Sequence, residues 1–201
     1  KKVVKAAEET AAPAVEEGSM LSVSEKDVPV VASGFEEYKE YDITQNKTRY
    51  TVMDQVVLDM IKLEQPVHFD VICQRLCKLL GREKVTSVVQ NSILTVLKRN
   101  DRKLLHTDDF YCLADGVSDY KVRTAGSRQI KYISGDEISK GILYVLQNNI
   151  GMTTQELVTE TAKAFGFKRI GPNIEENIKY AMDYLVQNGI IYTNEDKVFV
   201  K

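Results

Sequence analysis

An internal repeat constrains this chain more than any other feature. Shifting the sequence by 85 residues lays Val57 on Ile142, Leu58 on Leu143, Ile61 on Leu146 and Ile72 on Leu157. The same shift lays Leu80 on Phe165, Gly81 on Gly166, Val89 on Ile174 and Ile93 on Ile178. Apolar positions meet apolar positions and a helix-ending glycine meets a glycine, the mark of one supersecondary unit used twice. Toward the end of each copy the shift grows to 87, which sets Asp108 and Asp109 on Glu195 and Asp196. Copies of about 65 residues are small but able to build a core, and two of them can share an interface.

The unit is clearest in the second copy, over AFGFKRIGPNIEENIKYAMDYLVQNGI (164–190). Gly171-Pro172-Asn173 marks a helix start, because proline fits the first turn, where its missing N–H would have no partner. Ile174, Ile178, Ala181, Met182, Leu185 and Val186 then recur at three- and four-residue steps, one apolar helical face. Gly189 ends the helix, and IIYT-NED-KVFV reads as two short strands about a polar turn. Earlier in this copy, DEISKGILYVLQNN is a helix, Ile150-Gly151-Met152 a connector, and Thr153 or Thr154 a helix cap with Glu156 in the first turn.

The first copy has the same order. TVMDQVVLDMIKLEQ puts Val52, Val56, Val57, Met60, Ile61 and Leu63 on a helical face that Pro66 ends, and VHF is a short extended piece. DVICQRLCKLLG is a second helix capped by Gly81. A third helix is expected from about Lys84 to Asn100, burying Val85, Val88, Val89, Ile93, Val96 and Leu97. KLLHTDDFYCL is a hairpin turning at Thr107-Asp108-Asp109. A helix leading into a hairpin, twice, predicts a mainly α fold with small β hairpins (α+β): two tandem winged-helix domains after a flexible N-terminal segment. The expected boundaries are 1–49 for a linker and approach segment, 50–115 for the first domain, 116–135 for a basic connector and 136–201 for the second. Within the N-terminal part, residues 1 to about 34 are rich in Ala, Glu, Ser and Val with no sustained period, so they read as poorly ordered. VPVVAS is a candidate short strand. Residues 34–50, with Tyr38, Tyr41 and Tyr50, read as a segment that packs onto the folded part of the chain after it.

No run of about 18 apolar residues exists, so no membrane span is expected. The start, KKVVKAAEET, lacks a signal-peptide core, and the missing initiator methionine suggests a fragment or a processed product. Cys73, Cys77 and Cys112 are an odd, sparse set that suits a reducing, cytoplasmic setting and free thiols. With His68 and His106 as the two histidines and no CxxC spacing, no metal or other cofactor is expected. His68 is expected to make a structural hydrogen bond across the short strand. GxxxxGK(S/T), HExxH and GxSxG are all absent, so the chain is not expected to be an enzyme. The acidic pairs Glu36-Glu37, Asp108-Asp109, Glu175-Glu176 and Glu195-Asp196 read as solvated faces, turns and first-turn helix charges.

Nucleic-acid binding needs cations where phosphates would lie, so the distribution of charge matters more than the formal total of −2. The connector sets Lys121, Arg123, Arg128 and Lys131 against Asp119 alone. In the first copy, Arg82 and Lys84 precede a helix offering Ser87, Gln90, Asn91, Lys98 and Arg99, short polar donors flanked by cations. The corresponding helix of the second copy exposes Glu175, Glu176 and Asp183, carboxylates that repel phosphate; only Lys168 and Arg169 at its start favour an anion. Both hairpin tips are acidic as well, unlike a wing that enters a minor groove.

Residues 51 to 201 resemble an uncharacterised C-terminal domain family of large bacterial and archaeal superfamily 1 helicase-like proteins, which often carry a very-short-patch-repair-type endonuclease domain. The resemblance lies in EQPVHFDVICQRLCKLLGREKV, VRTAGSRQIKYISGDEI and ELVTETAKAFGFKRIGPNIEENI. These are similar to a Pro-Val/Ile-His segment, a helix ending in glycine, a connector arginine and a Gly-Phe-Lys/Arg-Arg stretch. It implies a non-catalytic accessory module of an ATP-dependent helicase. The expected activity is binding of a nucleic-acid backbone, DNA before RNA, through the first winged helix and the connector. The alternative is a docking module for the helicase or nuclease domains of the parent chain, through an exposed apolar or tyrosine-rich patch around Tyr38, Tyr41 and Tyr180.

Overall fold

The computed structural model describes residues 34–42, 53–115 and 121–201. The candidate strand VPVVAS and the readings for residues 1–33, Tyr50 and Val52 lie outside them. The chain is mixed α and β. Helix α1 (Met53–Glu64) leads through β1 (Val67–His68) into α2 (Phe69–Leu79) and α3 (Ser87–Arg99). A 3-10 turn, Asp101–Lys103, precedes β2 (Leu104–Thr107) and β3 (Phe110–Leu113). After a second 3-10 turn, Ile130–Tyr132, come α4 (Gly135–Gln147), β4 (Met152–Thr153), α5 (Thr154–Ala164), α6 (Pro172–Gln187), β5 (Ile191–Asn194) and β6 (Lys197–Val200).

The two halves match element by element. α2 and α5 lie 85 residues apart at both ends, and the hairpin strands lie 87 apart. Each half holds an antiparallel three-stranded sheet, ordered β1-β3-β2 and β4-β6-β5. The helix ends repeat down to single hydrogen bonds. Past α2, Arg82 N–H reaches Cys77 O at 2.8 Å and Gly81 N–H reaches Lys78 O at 3.0 Å. Past α5, Phe167 N–H reaches Ala162 O at 3.0 Å and Gly166 N–H reaches Lys163 O at 2.8 Å. Both glycines have positive φ, 65° and 87°, the left-handed conformation that this helix stop requires.

The helix starts also correspond. His68 Nδ1 accepts from Asp70 N–H at 3.0 Å and caps α2. In the second half Thr153 caps α5 in a reciprocal box with Glu156, and Gly171-Pro172 opens α6. The expected structural hydrogen bond of His68 is therefore a cap and does not cross the strand.

Thr86 moves the start of α3. Its side chain accepts from Val89 N–H, so the helix begins at Ser87, and Lys84 and Val85 belong to the preceding turn. Val85 and Val88, expected in the core, are exposed, Val88 at 66%. Val89, Ile93, Val96 and Leu97 form the buried stripe, and Val88 sits one step round the helix from it. Leu63 and Val186 miss their cores in the same way.

Each half has its own hydrophobic cluster. The first contains Met60, Ile61, Ile72, Leu76, Ile93 and Val96 among others. The second contains Ile138, Ile142, Leu157, Phe165, Ile178 and Leu185, and it also takes in Val122, Ala125, Ile130 and Ile133. The stretch expected to be a connector is thus built into the second core. Gly141 makes room there, because a Cβ on it would lie 2.7 Å from the Phe165 ring. Residues 34–42 cross both halves. Phe35 packs edge-on against Tyr144 and Phe165 of the second core, and Tyr41 packs on the first. Between them Glu36 pairs with the 122–124 backbone, donating to Val122 O at 2.9 Å and accepting from Thr124 N–H at 2.8 Å.

Candidate nucleic-acid interface

The basic residues picked out by the charge pattern divide into two groups. The first group is exposed. Arg82 and Lys84 lie in the α2–α3 turn, which the Cys77 thiol helps hold by donating to Lys84 O at 3.4 Å. Along α3, spacings of four and seven residues bring Ser87, Asn91 and Lys98 to one outward face, opposite the buried stripe. Gln90 is half-buried at its edge. Arg99 is exposed but paired, its Nη2 lying 2.7 Å from Asp54 Oδ1 at the start of α1. α3 contains no carboxylate. On α6, Glu175 pairs with Lys179 at 2.7 Å, and Glu176 and Asp183 are exposed, so the two helices differ sharply in charge.

The charge pattern misses part of the first group. Beyond Lys98 and Arg99, the 3-10 turn adds Arg102 and Lys103, and residues 98–103 line an open groove of about 370 Å³. The signal is present as Asp101-Arg102-Lys103 after Asn100, but in sequence it merges with the start of the hairpin.

The second group is occupied. The exposed basic connector expected to meet phosphates does not exist at Arg123 and Arg128, which are only 8% and 6% exposed. Both close on Glu137, a carboxylate with no exposure at the start of α4. Arg123 donates from Nε to Oε1 at 3.0 Å and from Nη2 to Oε2 at 2.9 Å, and its backbone N–H reaches Oε1 at 3.1 Å. Arg128 adds Nη1 to Oε2 at 3.0 Å and Nη2 to Oε1 at 3.3 Å. Arg123 also donates from Nη1 to Glu64 O at 2.9 Å, which ties the end of α1 to the start of α4. Both guanidiniums are thus buried against a carboxylate and are not presented to solvent as the connector reading expected. Lys121 is exposed but pairs with Glu36.

A second buried carboxylate, Glu64, stands beside this one. It accepts from the Tyr38 hydroxyl and from Tyr41 N–H at 2.8 Å. Arg75 Nε lies 3.3 Å from its Oε1, near enough for an ion pair but without hydrogen-bond geometry. Arg75 Nη1 meets Glu40 at 2.9 Å. The Tyr38 ring lies under Arg128, 3.9 Å from its guanidinium carbon, and burial together with the Glu64 charge pushes the phenol well above the usual tyrosine value. Tyr38 is therefore a joint residue and not part of an exposed tyrosine patch.

Of the remaining candidates, Lys131, Lys168 and Arg169 are exposed. Lys131 borders a groove of about 490 Å³ with Phe167, Pro172, Asn173 and Asn177 at the start of α6. Cys73 and Cys77 are buried in the first core, and burial pushes the Cys73 thiol up to about 12, far from a nucleophile at neutral pH. No helix among the described residues is long and apolar enough to cross a membrane.

Comparison with protein-family models, with curated proteins and with solved structures finds no match to this chain.

Proposed function

We propose that this chain is a non-catalytic nucleic-acid-binding module made of two tandem winged-helix units, of which the first makes the contact. The order helix, short strand, helix, helix, hairpin, with the short strand paired to the hairpin, supports the winged-helix reading of each half. The observation that carries the binding reading is the outward face of α3. It presents Ser87, Asn91 and Lys98 behind Arg82 and Lys84, with no carboxylate on the helix. Short donors flanked by cations suit phosphate and groove edges. The equivalent face of α6 carries Glu176 and Asp183, which favours a supporting role for the second unit.

The acidic hairpin tips argue for contact through the helix and its flanking turns, not through a wing. The buried joint holds the two units in one orientation, so the second can brace the first within a larger helicase-like protein. That setting rests on the sequence resemblance alone. Of the tyrosines the docking alternative names, Tyr38 is buried and Tyr41 half-buried, while Tyr180 on α6 is exposed.

The test is fluorescence anisotropy with labelled DNA at low and moderate salt. Binding should weaken steeply with salt, fall in Arg82→Glu/Lys84→Glu, and persist in Lys168→Glu/Arg169→Glu. Absence of binding at low salt sinks the proposal.

A further inference from the structure

The joint between the halves covers one face of the first half, and the corresponding face of the second half is apolar and open. In the first half, the elbow between α1 and β1 receives Arg123, which donates from Nη1 to Glu64 O at 2.9 Å and from Nη2 to Pro66 O at 3.4 Å. Gln65 in the same elbow accepts from Leu113 N–H at 2.8 Å. Beside Leu113, the half-buried Cys112 lies within reach of the charges of Arg123, Asp136, Glu137 and Lys140. The repeat carries Gln65 to Ile150, Pro66 to Gly151, Leu105 to Tyr192 and Cys112 to Phe199. Ile150 is 99% exposed and Tyr192 47%. The Phe199 ring stacks on Tyr192 with centroids 5.5 Å apart, and it lies against Gly151, where a Cβ would come within 2.7 Å of it. A row of repeats needs a polar outer face at its end, so an apolar one marks a surface that something covers.

The course of residues 34–42 points to the occupant. From Tyr38 back to Gly34 the segment runs along α4 from its start toward its end. Tyr38 lies under Arg128, which grips Glu137 in the first turn of α4. Phe35 lies 3.3 Å from a Cβ built on Gly141 and packs on Tyr144, and a Cβ on Gly34 would lie 3.5 Å from the Tyr144 hydroxyl. Ile150 follows six residues after Tyr144, roughly 10 Å further on at the helical rise. Directly ahead of Gly34 the sequence reads VPVVAS (28–33), a stretch that spans roughly 20 Å when extended. Pro29 favours that extended backbone at Val28. We propose that Val28, Val30 and Val31 dock on the patch of Ile150, Tyr192 and Phe199. The strap formed by residues 34–42 then continues over the open end of the second half, and the chain covers by itself the face that the joint covers in the first.

The experiment uses the full chain carrying Val30→Cys and Ile150→Cys, treated with a short bis-maleimide at low protein concentration, with peptide mapping of the joined thiols. The expected product is a link between the two introduced thiols within one chain. Adding Tyr192→Asp leaves the tether unchanged and removes part of the patch, so docking predicts that the link then forms about fivefold more slowly or less. An unchanged rate overturns the proposal, because the tether alone would then bring the thiols together. A link between chains overturns it in favour of a second copy on the patch, and no link overturns it outright. A second measurement needs no introduced thiol. Hydrogen exchange at residues 149–153 should be faster in the full chain carrying Val30→Asp/Val31→Asp than in the parent, and equal exchange also overturns the proposal.

Discussion

Arg123 grips Glu137 through two parallel contacts, Nε to Oε1 at 3.0 Å and Nη2 to Oε2 at 2.9 Å, at the joint between the two halves. The fork-to-carboxylate geometry is the strong form of an ion pair, and Arg128 doubles it on the same carboxylate. Its value comes less from net stabilisation than from the cost of breaking it. Glu137→Ala would leave two guanidiniums largely buried without their anion. The expected loss is about 3–5 kcal/mol, measured as a shift in the urea midpoint with little change in slope. A loss below about 1 kcal/mol would mean that water reaches the site.

Tyr38 serves the other buried carboxylate. Tyr38→Phe keeps the ring under Arg128 and removes the hydroxyl that Glu64 accepts. A hydrogen bond to a charged group is worth about 1.5–3 kcal/mol, so the variant should lose about that much stability. Hydrogen exchange of residues 34–42 should speed up in parallel, because the hydroxyl anchors that segment to α1. Unchanged exchange would show that the segment's other contacts, among them Phe35, the Glu36 backbone pairing and the Arg75–Glu40 ion pair, hold it without the hydroxyl.

His68 is expected to give the first half a pH dependence near neutrality. Burial, the leading cause, holds its imidazole below the usual histidine value against the opposing pull of Asp70 and Asp109, with Lys131 adding to the depression. A base with a depressed folded pKa binds fewer protons when folded, so its contribution is present above the unfolded value near 6.5 and is lost as pH falls below it. Protonation also removes the lone pair that accepts Asp70 N–H. His68→Asn keeps a capping side chain without the titration. Urea melts at several pH values should show a decline below neutrality that is shallower in this variant; parallel curves would exclude His68 as the source.

The second hairpin turns through Glu195 and Asp196, both at positive φ, 46° and 64°. Such turns favour Asn-Gly, and side chains held there cost stability that glycine avoids. Glu195→Asn/Asp196→Gly should stabilise the chain by about 1 kcal/mol, read as a rise in thermal midpoint. A fall would mean that the carboxylates make contacts worth more than the backbone strain.

The features legible in the sequence are local ones. The 85-residue register, the stops at Gly81, Gly166 and Gly189, the opening at Gly171-Pro172 and the buried stripes of α3 and α6 all come from backbone geometry and helical period. Those rules act over a few residues and can be read in order along the chain. The contrast between α3 and α6 was legible for the same reason, since exposure on a helix depends on its period. The fate of the connector arginines was not. Arg123 finds Glu64 O across 59 residues, and Tyr38 meets Arg128 from another part of the chain. A guanidinium at the surface and one in a buried pair look alike in sequence. Only the meeting of α1, α4 and residues 34–42 decided which of them water, or a phosphate, can reach. Charge acts through space and its strength depends on the surrounding dielectric, and the tertiary structure alone sets both.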